Sequence, residues 1–594
     1  MNVLGISCFY HDAAAALLRD GVLIAAAEEE RFSRRKHDYH FPDLAIDFCL
    51  EKAGLKPGDL DYVVFHEKPL VKFERILMTV LGAYPKTSRV FREAMVAWFN
   101  EKLWIKGRIL RKLGIAADRI LFSEHHLSHA ASALFCSPFE EAAIMTVDGV
   151  GEWTTTTLGR GQTDWQGGGE NRIQLFEEIH FPNSLGLLYS AFTSFLGFEV
   201  NEGEYKVMGM APYGEPRYLD EVYQLIQVNE DGSFRLNMDY FAFHQSTEHS
   251  FNTRFADLFG TPRRPAADFY TLTTHPRRDH PHWETRLAEE NQKYADIAAS
   301  IQRATEEILL KMANHLQHET GLTKLCVAGG VMLNSVANGR ILRETAFDDM
   351  FIQPAAGDAG AALGAALWAY HVLLQRPRKF VLNHCYWGEE FSDAKVNDFL
   401  RTNHIPHERF DDEERMLDRV VDQIMDGKVF GWFKGRFEWG PRALGNRSIL
   451  ADPRRAEMKG IVNEKIKFRE PFRPFAPVIL DERTREYFDL PESKNHHAAR
   501  FMQFVTPIRE EKQASIPAVN HQGTGRLQTI QREINPSYYR LVEKFGEATG
   551  VPVLLNTSYN LRGEPMVSTP ADAYRTFSNS GLDLLIMENF LIKK

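Results

Sequence analysis

Short apolar runs separated by glycine-rich polar turns dominate both ends of the chain. Residues 3–7 form the first such run, and 13–18 and 22–27 flank Arg19-Asp20-Gly21, where Asp-Gly signals a hairpin. Pro42 then opens an apolar pattern of helical period that stops at Gly54, and 61–66 reads as the next buried strand. The arrangement returns later: strand 142–147, the polar turn Asp148-Gly149-Val150-Gly151-Glu152, and a return strand over 154–158. Each copy places a carboxylate and small residues between two strands, a weak repeat of pattern rather than of identity. Two α/β halves facing one cleft account for it.

Further along, the pattern predicts a long helix over 294–319, strand 324–328, the pair Gly329-Gly330 and a helix from Asn334. Strand 351–353 leads into the loop Gly357-Asp358-Ala359-Gly360 and a small-residue helix over 361–370. Strand, glycine loop and helix together aim backbone N–H groups at an anion. Segments 162–169 and 261–281 read as surface excursions. The stretch 375–383, with Pro377 among Arg376, Arg378 and Lys379, is the best boundary, and 428–433 begins a second α/β core.

Bulk properties narrow the field. At 594 residues the chain exceeds one ordinary core. A net charge of −10 excludes a generally cationic nucleic-acid-binding surface. Five scattered cysteines form no C-x-x-C pair, so neither a disulfide framework nor a zinc ribbon is expected. His11 and Asp12 fall where a signal peptide needs an apolar core, and no apolar run reaches the roughly 18 residues of a membrane span. These features lead to an expected cytoplasmic location without membrane or nucleic-acid partners.

Two clusters carry candidate chemistry. His125 and His129 lie four apart at an apparent helix start, so they share a face and can reach one ion. His126 is an equal candidate by spacing, and a helix-start hydrogen-bonding role is the ordinary alternative. Asp148 and Asp358 occupy positions from which a short carboxylate reaches a cleft, but the pattern does not join them to the histidines. Between Lys434 and Arg473, eleven Lys/Arg stand against five Asp/Glu, interleaved with glycine and proline. Cations on rigid turns suit a triphosphate or an acyl phosphate; a salt-bridged surface or an RNA patch are the alternatives.

Seven blocks, from Tyr10-His11-Asp12-Ala13 with Glu28-Glu29-Glu30-Arg31-Phe32, through 125–130, 147–152, 203–214 and 328–334, to 434–445 and 555–560, resemble the NodU/CmcH carbamoyltransferase family. Its members carbamoylate nodulation factors, cephamycins and tobramycin. The resemblance spans nearly the whole chain. It implies an α/β protein with an N-terminal actin/hexokinase-like duplicated domain over 1–378 and a C-terminal YrdC-like domain over 379–594. It also implies that carbamoyl phosphate and ATP, with Mg2+, become carbamoyl adenylate in the C-terminal domain. The N-terminal domain then passes the carbamoyl group to a hydroxyl of a small molecule.

By the same resemblance, His125, His129, Asp148 and Asp358 hold Fe2+, with Mn2+ or Zn2+ compatible. His11 becomes the base for the acceptor, oriented by Asp12, with Lys36 on acceptor or phosphate. Lys434, Arg436, Arg442, Arg447, Ser448, Lys465, Arg469, Arg473, Arg526, Asn556 and Arg562 are the expected nucleotide and carbamoyl-phosphate contacts, with Lys465 or Lys467 pointing inward. Gly329, Gly330 and Asn334 are expected at the adenylate. Segments 68–110 and 235–285 are expected to face the acceptor or, in a homodimer, a second copy. Competing readings are a threonylcarbamoyl-type tRNA-modifying transferase and an actin-like nucleotide-dependent chaperone.

Overall fold

The computed structural model describes residues 1–100, 102–271 and 284–594. The chain forms two compact units. The first comprises Met1–Ala25 and Tyr39–Val381, the second Ala26–Asp38 and Leu382–Lys594.

The first unit contains two five-stranded sheets of one topology. In the first sheet the order is Val22–Glu28, Ala14–Arg19, Asn2–Ser7, Tyr62–Phe65 and Ile120–Phe122. Asn2–Ser7 runs antiparallel to its hairpin partner and parallel to Tyr62–Phe65, which is parallel to Ile120–Phe122. In the second sheet the order is Arg172–His180, Thr154–Gln162, Glu141–Val147, Lys324–Ala328 and Asp349–Ile352, with the same senses. The pattern-level repeat is therefore a duplicated sheet. Its third strand, Arg172–His180, escapes the sequence pattern because it is exposed or half-buried throughout.

A helix follows the fifth strand in each copy: His125–Leu134 in the first and Asp358–Leu367 in the second. The two pack closely because each has small residues at the contact. A Cβ added to Gly364 would lie 1.8 Å from the Ser128 carbonyl oxygen, and one on Gly5 would lie 1.8 Å from that of Ala362. Only glycine permits this approach of helix to helix and of strand to helix. Asp358 is thus the first residue of its helix rather than a member of a loop, and the helix widens into a π turn over Trp368–Leu373. The long helix extends over Thr285–Thr320, nine residues earlier than the pattern placed its start.

The second unit is built on an eight-stranded mixed sheet in the order Glu408–Arg409, Phe590–Lys593, Leu584–Met587, Phe430–Phe433, Arg447–Ala451, Val553–Ser558, Ala476–Leu480 and Gln528–Ile530. Helices Glu413–Met425 and Pro536–Thr549 bury Met416, Val420, Tyr538 and Phe545 against Trp432, Leu450 and Leu554. The loop joining Phe430–Phe433 to Arg447–Ala451 is fixed by one buried carboxylate. Glu438 Oε1 accepts from the N–H groups of Leu444, Asn446 and Arg447. All five cysteines are free and buried. Among the described residues no helix is long and apolar enough to cross a membrane.

Candidate metal centre and its surroundings

His125 opens one of the paired helices and Asp358 opens the other, so the duplicated topology brings two potential ligands to one point. His129 follows one turn after His125, and Asp148 follows the strand Glu141–Val147. His125 Nε2 lies 3.0 Å from Asp148 Oδ2, 3.2 Å from His129 Nε2 and 3.6 Å from Asp358 Oδ1. His129 Nε2 lies 3.8 Å from Asp148 Oδ2 and 3.7 Å from Asp358 Oδ1. All four side chains are buried.

These separations fit one divalent ion: nitrogen and oxygen ligands at ~2.1 Å in a tetrahedron stand ~3.4 Å apart. Two further observations support the fit. Asp358 Oδ1 is buried without a hydrogen-bond partner. The two imidazole Nε2 atoms also face each other, an arrangement a shared cation satisfies. Asp148 is held by its other oxygen, Oδ1, which accepts from Gly330 N–H at 2.7 Å. Burial works against charging His125 and His129, yet Asp358 and Asp148 outweigh it and raise both pKa values, that of His125 strongly. In return, the two imidazoles hold Asp148 low against its own burial.

His126, open as an alternative from spacing, is engaged elsewhere. Its Nδ1 meets Thr146 Oγ1 at 2.6 Å and its Nε2 meets the Thr154 carbonyl at 3.0 Å. Burial, with His125 and His129 adding to it, lowers its pKa to about 3, so it stays neutral.

His11 Nδ1 is 3.1 Å from Asp12 Oδ2. Burial disfavours its charge, but Asp358 and Asp12 lift its pKa to about 9 rather than leaving it near neutral. Gly329 and Gly330 border the cluster through Asp148. The Asn334 side chain is occupied: Oδ1 accepts from Ala337 N–H at the start of the helix Ser335–Glu344, and Nδ2 donates to Gln302. It caps that helix.

Several neighbours carry no motif-level signal. Glu152 accepts from His125 N–H and Lys68 N–H, anchoring the start of the ligand helix. Glu67 Oε2 stands 3.8 Å from His125 Nδ1 and 2.5 Å from Lys72 Nζ. Lys72 and Arg75 are three apart on the mostly apolar helix Pro69–Gly82, and both are buried, whereas Glu74 is exposed. Two cations on one face of an apolar helix were the available clue. The outer face of this helix exposes Leu70, Met78 and Leu81. The segment 235–285 lies partly outside the described residues, as does the excursion 261–281.

In the second unit the basic cluster divides. Lys467, not Lys465, points inward: Lys465 is exposed, whereas Lys467 Nζ donates to Ser558 O and to Asn560 O and Oδ1. Burial, with Arg469, Arg473 and Lys36 nearby, drives its pKa well down. Lys36 belongs to the second unit through the segment Ala26–Asp38. Arg469 donates to Asn463 Oδ1, and Arg473 lies 3.4 Å from Glu470.

Other expected phosphate contacts are committed to the protein itself. Arg447 is wholly buried, stacks 3.7 Å from the centre of the Phe433 ring and donates to the carbonyls of Lys434 and Asn446. Ser448 accepts from Gly445 N–H. Asn556 donates to Ala443 O and Gln528 Oε1. Arg436 donates to Trp387 O and Gly388 O, and Lys434 pairs with Glu413. The strand Arg447–Ala451 is buried on both faces, and backbone groups of the neighbouring loops take up these side chains. Arg442 and Arg526 are half-buried, and Arg562 is exposed, 3.8 Å from Glu470.

Fold and site together define a two-unit α/β protein with a duplicated first unit and a buried His2Asp2 cluster. The chain belongs to the carbamoyltransferase family: residues 2–367 match the family described as Carbamoyltransferase N-terminus, and 421–594 match Carbamoyltransferase C-terminus. It is accordingly a carbamoyl-transferring enzyme. It is 45% identical to an uncharacterized protein, sll1178, of Synechocystis sp., covering 100% of this chain and 97% of that one. It is 39% identical to nodulation protein NolNO of Sinorhizobium fredii, covering 99% and 79%. Among solved structures, T. kodakarensis HypF matches at 14% identity with a TM-score of 0.31, covering 63% of this chain and 48% of that one.

Proposed function

We propose that the protein is an ATP-dependent O-carbamoyltransferase: carbamoyl phosphate and ATP, with Mg2+, give carbamoyl adenylate in the second unit, and the first unit transfers the carbamoyl group to a hydroxyl of a small molecule. The observation that carries the transfer step is the buried convergence of His125, His129, Asp148 and Asp358 on one point. These four residues would hold the ion, with Fe2+ proposed and Mn2+ or Zn2+ compatible with the ligand set. When bound, the ion supplies Lewis-acid polarisation of the group undergoing attack.

The chain's own residues do the rest. Gly330 N–H fixes Asp148, and Glu152 fixes the start of the helix bearing both histidines. His11 takes the acceptor's proton on Nε2 while Asp12 holds Nδ1. Its raised pKa derives in part from Asp358 and Asp148, so a cation on those carboxylates brings His11 back toward the range a base requires. In the second unit Lys36, Arg469 and Arg473, the cations around the buried Lys467, gather positive charge where the donor phosphates would lie.

The test is incubation of the metal-loaded chain with ATP, carbamoyl phosphate and a panel of hydroxylated acceptors. A product heavier by about 43 Da, the mass of an added carbamoyl group, is expected. Transfer that proceeds equally without ATP would refute the adenylate route.

A further inference from the structure

Eight of the fifteen large apolar side chains exposed among the described residues fall between Leu70 and Trp104 of the first unit. The helices Pro69–Gly82 and Ser88–Asn100 fold back on each other there, with the Phe73 ring 5.6 Å from that of Trp98 and 5.8 Å from that of Phe99. On the first helix Leu70, Glu74, Met78 and Leu81 recur at helical spacing and are all exposed, while its inner face carries Lys72 to Glu67. On the second, Arg92, Val96 and Phe99 form one exposed stripe. Tyr84, in the connecting turn, is 69% exposed. Trp104 is 59% exposed, and its Nε1–H donates to Phe99 O at 2.6 Å, which ties it to the end of the second helix.

The charge around this apolar surface is one-sided. Residues 68–113 carry eleven Lys/Arg against three Asp/Glu, in a chain whose net charge is −10. Lys68, Arg89, Arg108 and Lys112 are paired with carboxylates. Lys86, Arg92 and Lys106 are exposed and make no ion pair among the described residues. An apolar patch rimmed by such groups marks a surface that meets a partner. A second copy of this chain fits it poorly, because an isologous contact sets the same cations face to face. An anionic bilayer matches both features. Apolar side chains reach the acyl boundary, tyrosine and tryptophan suit the headgroup level, and long cationic side chains extend to the lipid phosphates.

We propose that this helical hairpin docks the protein on an anionic lipid bilayer. Leu81, Val96, Phe99 and Trp104 enter the interface, and Lys86, Arg92 and Lys106 lie against lipid phosphates. The expectation of no membrane partner rested on the lack of a spanning segment, which peripheral docking does not need. The acidic remainder of the chain is repelled by the same surface, so attraction is confined to this face and fixes the orientation of the first unit on the bilayer.

The experiment is flotation of the full chain with vesicles of phosphatidylcholine alone or with roughly one third phosphatidylglycerol. Wild-type protein is expected to float with the anionic vesicles and to remain behind with the neutral ones. Replacing Lys86, Arg92 and Lys106 together by glutamine is expected to weaken partitioning roughly a hundredfold, about fivefold for each lost cation. Leu81→Ser combined with Val96→Ser is expected to weaken it about tenfold or more. These side chains are exposed, so both sets of variants keep the fold. Trp104→Phe is expected to float as wild type does while losing much of the quenching of tryptophan emission by lipids brominated in the acyl chains. No flotation of wild type, equal flotation with neutral and anionic vesicles, or flotation untouched by both sets of substitutions would each overturn the assignment. Light scattering supplies the remaining outcome: a dimer that Leu81→Ser with Val96→Ser dissolves, in protein that does not float, would give the face to a second copy instead.

Discussion

The ligand residues differ from their neighbours by a single helical position, which makes them separable by substitution. His125→Ala or Asp148→Asn is expected to abolish stoichiometric metal, measured by elemental analysis of protein purified without oxygen. His126→Ala is expected to keep the metal and to lose about 1–3 kcal/mol of stability in a denaturant titration, because it removes two buried hydrogen bonds, to Thr146 Oγ1 and to the Thr154 carbonyl. Metal retained in both ligand variants would remove the cluster from consideration. The raised pKa values of His125 and His129 also set a pH dependence. Protons compete for the same nitrogens, so affinity falls in acid and keeps climbing with pH beyond the ordinary histidine range. Each displaced proton contributes a slope of up to about one decade per pH unit. Chelator competition measured from about pH 6 to 9 reads this directly, and a flat profile across that range would contradict it.

At the level of elements, the approach of the helix Asp358–Leu367 to the helix His125–Leu134 depends on Gly364. Gly364→Ala drives a methyl into the Ser128 carbonyl, a backbone atom that cannot swing away. A loss of about 3 kcal/mol or more is expected in equilibrium unfolding, together with weaker metal binding. A change below about 1 kcal/mol would mean that the helices part easily. Much of this architecture was readable in advance. The hairpins, the buried parallel strands and the helix stop at Gly54 follow from period and turn chemistry. The His125/His129 pair follows from its spacing. What escaped has physical causes. Arg172–His180 lacks a buried face, and Lys36 joins the second unit through a short segment with no boundary signal. Arg447, Ser448 and Asn556 carry the right chemistry for a phosphate, but their strands are central in the sheet and buried on both faces, which takes these groups into the interior. Lys72 and Arg75 are buried while Glu74, between them in the same helix, is exposed, and a charge alone does not tell the two situations apart.

For the molecule as a whole, the two units divide the proposed reaction into separable halves. Lys467→Met or Arg473→Ala is expected to stop ATP- and carbamoyl-phosphate-dependent adenylate formation, whereas Lys465→Ala leaves it nearly unchanged. His11→Ala is expected to spare adenylate formation and abolish transfer to the acceptor. Adenylate formation that survives in Lys467→Met and Arg473→Ala would refute this division. The duplication inside the first unit carries a further consequence. His125 and His129 come from the first repeat, Asp148 and Asp358 from the second, so neither repeat owns a complete ligand set. Ion affinity thereby becomes a gauge of how far the repeats are drawn together. Any ligand that closes them tightens the ion, and by thermodynamic reciprocity the ion tightens that ligand by the same factor.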